Sequence, residues 1–186
     1  MQEAIAVEQI AGIGQPIHDT PRDREQWTQL RALIHDYPPA FTRDTARGGH
    51  VTGSVFLLSQ DQKNVLLTHH RKLDRWLQLG GHCDGIADVR FAAMKEAYEE
   101  SGLARITLLS PDVFDIDIHE IPARGEDPAH LHYDVRYLMR AEAGEIRVSP
   151  ESKALSWIAL DGLEAVTQEP SIIRMRNRAR DFLAKS

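Results

Sequence analysis

With 186 residues, 42% of them hydrophobic and 27% charged, the chain has the apolar content for one globular domain with a sizeable core and lacks the length for a second independent one. A formal charge of −6, from 22 basic and 28 acidic residues, excludes a sequence-independent grip on a phosphate backbone as the default, so no nucleic-acid partner is expected and any anionic ligand needs a local metal or basic pocket. The single cysteine, Cys83, excludes an internal disulfide framework. No apolar run reaches the ~18 residues of a membrane span, and the start carries Glu3 and Glu8 instead of a basic, then apolar, leader; the expectation is a cytoplasmic protein without a membrane partner.

In chain order, residues 1–48 read as a helical extension. Thr20 followed by Pro21 starts a helix, Trp27, Leu30, Leu33 and Ile34 give it one apolar stripe, and "DYPPA" stops it. That stripe fits either packing onto the main body or a homodimer contact. Residues 49–186 form the main domain, opening with the strand-like runs "HVTGSVFLL" and "VLLTHH" around the polar turn "SQDQKN". Next comes the glycine-rich loop "GGHCDG" and a helix, "VRFAAMKEAYEES", capped by Asp88 and stopped by Gly102. The strictly alternating "VFDIDIH" and "LHYDVRYLM" follow, joined by the loop "EIPARGEDPA". A short strand, "KALSWIAL", leads to a helix near Asp161, and "SIIRMRNRARDFLAKS" is a final helix with Ser171 as cap and Ile172, Met175, Ala179, Phe182 and Leu183 on its apolar side. An α/β or α+β domain with helices covering a mixed sheet follows from this order.

Three acids, Glu96, Glu99 and Glu100, share one arc of the helix after the glycine loop, while Val89, Ala92, Ala93 and Ala97 let it lie close to a sheet. Partly shielded carboxylates raise one another's pKa, and a divalent cation removes that penalty. Oxygen-only ligation favours Mg²⁺ or Mn²⁺; an ordinary solvated acidic face is the alternative. His82, next to Gly81, is placed to bond a phosphate, ligate an ion, or brace the loop. Cys83 is either a reactive thiol or a small residue filling a tight turn. Alternation puts Asp115, Asp117 and His119 on one strand face and His130, His132 and Asp134 on another, where pairing would gather them into a substrate pocket, a second metal site, or a merely polar surface. Lys72, Arg75, Trp76 and Arg136 are candidates for stacking on a base or holding a phosphate.

From Gly81 to Leu103 the spacing resembles the signature of the Nudix hydrolase family: glycine, five residues, glutamate, seven residues, then Arg-Glu-apolar-any-Glu-Glu-any-Gly-apolar. Gly81 takes the first position, and Lys95, Glu96, Ala97, Glu99, Glu100, Gly102 and Leu103 the later ones. With the flanking "HVTGSVFLL", "RWLQLGGH" and "ALSWIALDGL", the resemblance covers about Gly49 to Val166. Two positions depart from it: Ala87 replaces the first glutamate, and Lys95 replaces an arginine, offering a point charge where the family has a planar fork. The "GGHCDG" loop and the later His-x-His-x-Asp look like a subgroup.

The resemblance implies an α/β/α sandwich, and an enzyme that cleaves the pyrophosphate bond of a nucleoside diphosphate linked to another moiety. Glu96, Glu99, Glu100 and the Gly81 carbonyl would bind Mg²⁺ or Mn²⁺, with Lys95 beside them. One glutamate of the trio, or a later acid for which Glu120 and Glu151 are the candidates, would be the general base; His82, Trp76, Arg75, His130, His132 and Asp134 are candidate substrate contacts. Two alternatives stand beside this reading: a catalytically weakened nucleotide-binding or regulatory protein, supported by Ala87 and Lys95, and a diphosphate isomerase with histidine-rich ligation.

Overall fold

The structure is a computed structural model that describes residues 13–71, 73–148 and 152–185. Helix α1 spans Pro21–Asp36. Its start is a reciprocal cap: the Thr20 hydroxyl accepts from the Asp23 N–H at 3.2 Å, and the Asp23 carboxylate accepts from the Thr20 N–H at 3.2 Å. Trp27, Leu30 and Leu33 are buried, and a 3-10 turn over Pro38–Phe41 replaces the helix where two prolines remove the N–H donors. Of the two partners its apolar stripe allowed, α1 therefore packs on the body of its own chain.

Among the described residues eight strands make one mixed sheet: β1 (Gly49–Leu58), β2 (Asn64–His70), β3 (Arg75–Leu77), β4 (Leu79–His82), β5 (Arg105–Leu108), β6 (Asp115–Ile121), β7 (His130–Ala143) and β8 (Ser152–Ala159). Strand β1 is central, parallel to β7 from Gly49↔Leu131 to Leu58↔Arg140 and antiparallel to β4 on its other edge. Covered on both faces, it is buried along its whole length. Strand β6 pairs with the first half of β7 and β5 with the second, while β2 carries β3 and β8.

Helix α2 (Val89–Ser101) and α1 pack on the face presenting Val51, Val55, Val135 and Tyr137. On the opposite face Phe56, Leu58 and Leu138 lie beneath α3 (Pro170–Leu183). The result is the expected helix-sheet-helix layering, with the apolar side of α3 (Ile172, Met175 and Ala179) buried as its periodicity predicts. Two local expectations change. Ser171 is not the cap of α3: Pro170, whose missing N–H and fixed φ suit the first helical position, starts the helix one step earlier, so Glu169 is the cap residue and Ser171 is buried in the first turn. The helix near Asp161 is a 3-10 segment, Leu160–Ala165.

Candidate active site

Helix α2 is fixed at both ends before its acids come into play. The Asp88 carboxylate accepts from the Phe91 N–H at 3.0 Å, and Gly102 turns left-handed at φ 67°. The Asp88 carboxylate is engaged as the cap, and Ala87, one step earlier in the chain, is exposed on the loop. Among the described residues β4 pairs with β1 alone, leaving its outer edge open, and there the Gly80 N–H donates to Glu100 Oε2 at 2.8 Å. A Cβ on Gly81 would lie 2.6 Å from Glu96 Oε2, so the Glu96 carboxylate occupies the space that any side chain at 81 would need.

Lys95 clamps two of the acids. Its Nζ donates to Glu96 Oε1 at 3.1 Å and to Glu99 Oε2 at 2.9 Å, and the hydrogen bonds to Glu99 and Glu96 hold the ammonium above its ordinary pKa. Glu96 is largely shielded, with 16% of its side chain exposed, whereas Glu99 is 58% exposed. An ammonium lying between Glu96 and Glu99 marks where positive charge is favoured, and an all-oxygen donor set is the chemistry that suits a hard divalent ion; Glu100 is tied instead to the Gly80 N–H, and the three carboxylates do not converge here as a ready-made ligand group.

The second polar constellation assembles as the alternation predicts. Register sets Asp115 opposite Arg136, Asp117 opposite Asp134 and His119 opposite His132. Parallel pairing with β1 extends these rows to Ser54, Thr52 and His50. All point away from α2, on the α3 side of the sheet.

Beneath this face runs an ionic network. Asp134 accepts from Ser54 Oγ (2.6 Å), Thr52 Oγ1 (3.0 Å), Gln78 Nε2 (3.1 Å) and Arg136 Nε (2.6 Å) and is 3% exposed. Arg136, a candidate from the sequence for stacking on a base or holding a phosphate, is 2% exposed and is also bound to Asp115 at 3.1 Å, because its partners sit on its own strand and on the adjacent one. Burial lowers the Arg136 pKa, but Asp134, Asp115 and Asp117 together hold it above its ordinary value. From α3, Arg174 and Arg178 reach Asp115 at 2.8 and 2.6 Å, and Arg178 grips both oxygens of Asp23 in α1 at 2.7 and 2.8 Å. Burial alone would raise the Asp117 carboxyl; His119, Arg136 and Arg174 bring it well below the usual carboxylate range.

Toward the start of β1 and β7 the same face becomes imidazole. The His50 ring centroid lies 4.8 Å from His132, 4.9 Å from His130 and 5.1 Å from His82. His50 is 2% exposed, and neither ring nitrogen has a hydrogen-bond partner among the described residues. Burial, then the neighbouring histidines, push His50 down to about 4 and His132 down to about 3, so both rings are neutral at neutral pH. Sequence reasoning missed His50, whose only signal is its alternation with Thr52 and Ser54 once the β1–β7 register is known.

The other candidates are placed elsewhere. Trp76 stacks on His69 at 5.1 Å and Arg75 lies 3.6 Å from Glu169, on β3, which β2 and β1 separate from β7. Glu120 is exposed, and alternation turns it to the face opposite His119. Glu151 and Lys72 lie outside the described residues. Cys83 is fully buried, and burial with Asp134, Asp84 and Glu96 pushes its thiol up to about 12; it fills space and is not a reactive thiolate.

No curated protein matches the chain. Among solved structures it resembles an Ap4A hydrolase from C. elegans (TM-score 0.59, 18% identity, covering 73% of this chain and 98% of that one). It also resembles a NUDIX-family hydrolase from Clostridium perfringens (TM-score 0.53, 28% identity, 72% and 97%). A third likeness is to the E. coli dihydroneopterin triphosphate pyrophosphohydrolase (TM-score 0.51, 19% identity, 73% and 96%). The family model described as NUDIX domain matches residues 49–184. Since that match runs from the first strand through α3, the chain belongs to the NUDIX family of pyrophosphohydrolases.

Proposed function

We propose that the protein hydrolyses the pyrophosphate bond of a nucleoside diphosphate linked to another moiety, in a reaction that depends on Mg²⁺ or Mn²⁺. The observation that carries this reading is the seat of Glu96 against Gly81, with Lys95 bridging Glu96 and Glu99 at the open edge of β4. Glu96, Glu99, Glu100 and the Gly81 carbonyl would hold the ion. A bound divalent cation supplies charge neutralisation at the anhydride and a more acidic water. Lys95 keeps two carboxylates at a fixed spacing, so little reorganisation is needed when the substrate arrives. Water attacks one phosphorus, the bridging P–O bond breaks with its electron pair leaving on the departing phosphate oxygen, and a carboxylate base takes the water's proton; Glu120, exposed on the α2 side of the sheet, is our candidate.

A cytoplasmic protein meeting a free nucleotide is consistent with the described residues, among which no helix is long and apolar enough to cross a membrane. The exposed Ala87, where the family has an acid, favours a second reading: a nucleotide binder with weakened turnover. The test is a panel of dinucleoside polyphosphates, nucleoside diphosphate sugars and nucleoside triphosphates, each with Mg²⁺, Mn²⁺ or excess chelator, read as phosphate released after phosphatase coupling. Metal-dependent release from one class supports the hydrolase. No release, with ligands still raising Tm, supports the binder.

A further inference from the structure

We propose that His50, His130 and His132 form a binding site for a zinc-type first-row transition ion, on the sheet face away from α2 and distinct from the glutamate site. Among the described residues this is the group of three whose ligand atoms all lie within 4.8 Å of one another. Two nitrogens on a tetrahedral zinc stand roughly 3.4 Å apart, given Zn–N bonds of about 2.0–2.1 Å, so closure needs shifts of at most about 1.4 Å, which ring rotation provides.

Two further observations point to a ligand. His50 is 2% exposed with both ring nitrogens unpartnered among the described residues, and an unsatisfied buried polar group is costly unless something binds it. His130 Nδ1 lies 2.8 Å from the Pro128 carbonyl, a contact that requires the N–H on Nδ1 and leaves the Nε2 lone pair free. A backbone carbonyl holding the far nitrogen of a ligating imidazole is the usual outer support of a metal-bound histidine. Three imidazole nitrogens select zinc, cobalt or nickel over Mg²⁺, and leave a fourth position for water or a phosphate oxygen.

The experiment is a Zn²⁺ titration of chelator-stripped protein against a chromophoric competitor, in excess Mg²⁺, with Co²⁺ absorption as a second readout. The parent and a Glu99→Gln/Glu100→Gln double variant should each bind one ion per chain and show a Co²⁺ ligand-field spectrum. His50→Ala, His130→Ala and His132→Ala should each weaken binding at least about a hundredfold, the upper range known for disturbing even the outer support of a ligand. If burial makes His50→Ala fail to fold, the partly exposed His130 decides the matter. Zn²⁺ affinity unchanged in the folded histidine variants, or lost with the glutamates and kept without the histidines, overturns the proposal.

Discussion

Arg178 fastens three elements together. Its Nη2 donates to both Asp23 oxygens in α1 and its Nη1 to Asp115 in β6, while its own backbone is part of α3. Asp23 and Asp115 are 3% and 2% exposed, so removing the guanidinium strands charge where water cannot reach it. Breaking a buried pair by deleting one partner costs about 3–5 kcal/mol. Arg178→Met keeps most of the stem volume, and Asp115 retains Arg136 and Arg174, which puts the expected loss at the lower end, about 3 kcal/mol. For a domain of this size each kcal/mol moves Tm by about 2–4 °C, so a fall of roughly 6–12 °C is expected in thermal unfolding followed by circular dichroism at neutral pH. Adding Asp23→Asn to Arg178→Met should cost less than the two single losses summed, by about 0.5–3 kcal/mol. A Tm within about 2 °C of the parent, or a strictly additive double variant, would show that the grip contributes no stability.

Four other outcomes are expected. Glu99→Gln and Glu100→Gln should each lower turnover at least about a hundredfold in the coupled phosphate assay with unchanged Tm; near-normal rates in both would remove these acids from the metal site. Ala87→Glu, at an exposed position that accepts the longer side chain, should tighten Mg²⁺ binding by calorimetry, and weaker binding would count against the missing acid's role. Burial raises the Asp23 carboxyl, but Arg178 and Thr20 more than offset this, so its folded pKa lies below the ordinary value. Its contribution is therefore present above about pH 3.9 and disappears as pH falls through the lower folded value; the Tm gap between parent and Asp23→Asn should be widest near neutrality and close in acid. A gap independent of pH would contradict the assignment. Cys83, buried and with its thiol pushed up to about 12, should resist a thiol reagent in native protein and react once unfolded.

Features set by neighbours in sequence were legible, and those set by distant pairing were not. Thr20 with Pro21, Asp88 and Gly102 announce their helix ends because a cap acts within a turn. The alternation of β6 and β7 carried enough information to put six polar groups on one side of the sheet once the two strands pair, as they do. Strand β5 has only four residues, too few for a period to emerge. In the run "RMRNRARD" Arg176 and Arg178 are 6% and 8% exposed, which helical periodicity does not reveal, because the acids that neutralise Arg178 come from α1 and β6. At the glutamate site the motif located Gly81, Lys95, Glu96, Glu99 and Glu100; what it could not reveal is that Lys95 supplies a two-pronged clamp in place of the arginine fork. Arg75 and Trp76 were named for their chemistry, and strand order carried them away from the histidines.

The side-by-side, same-direction run of β1 and β7 also dictates when the molecule can be assembled. Along that edge β1 is paired with β7 from Gly49 to Leu58, so a ribosome must deliver residues beyond His130 before β1 finds its long neighbour. Until then Val51, Val55 and Phe56 sit on a strand with one whole flank ungloved, and a truncated product ending in the loop after β6 would carry that sticky flank permanently.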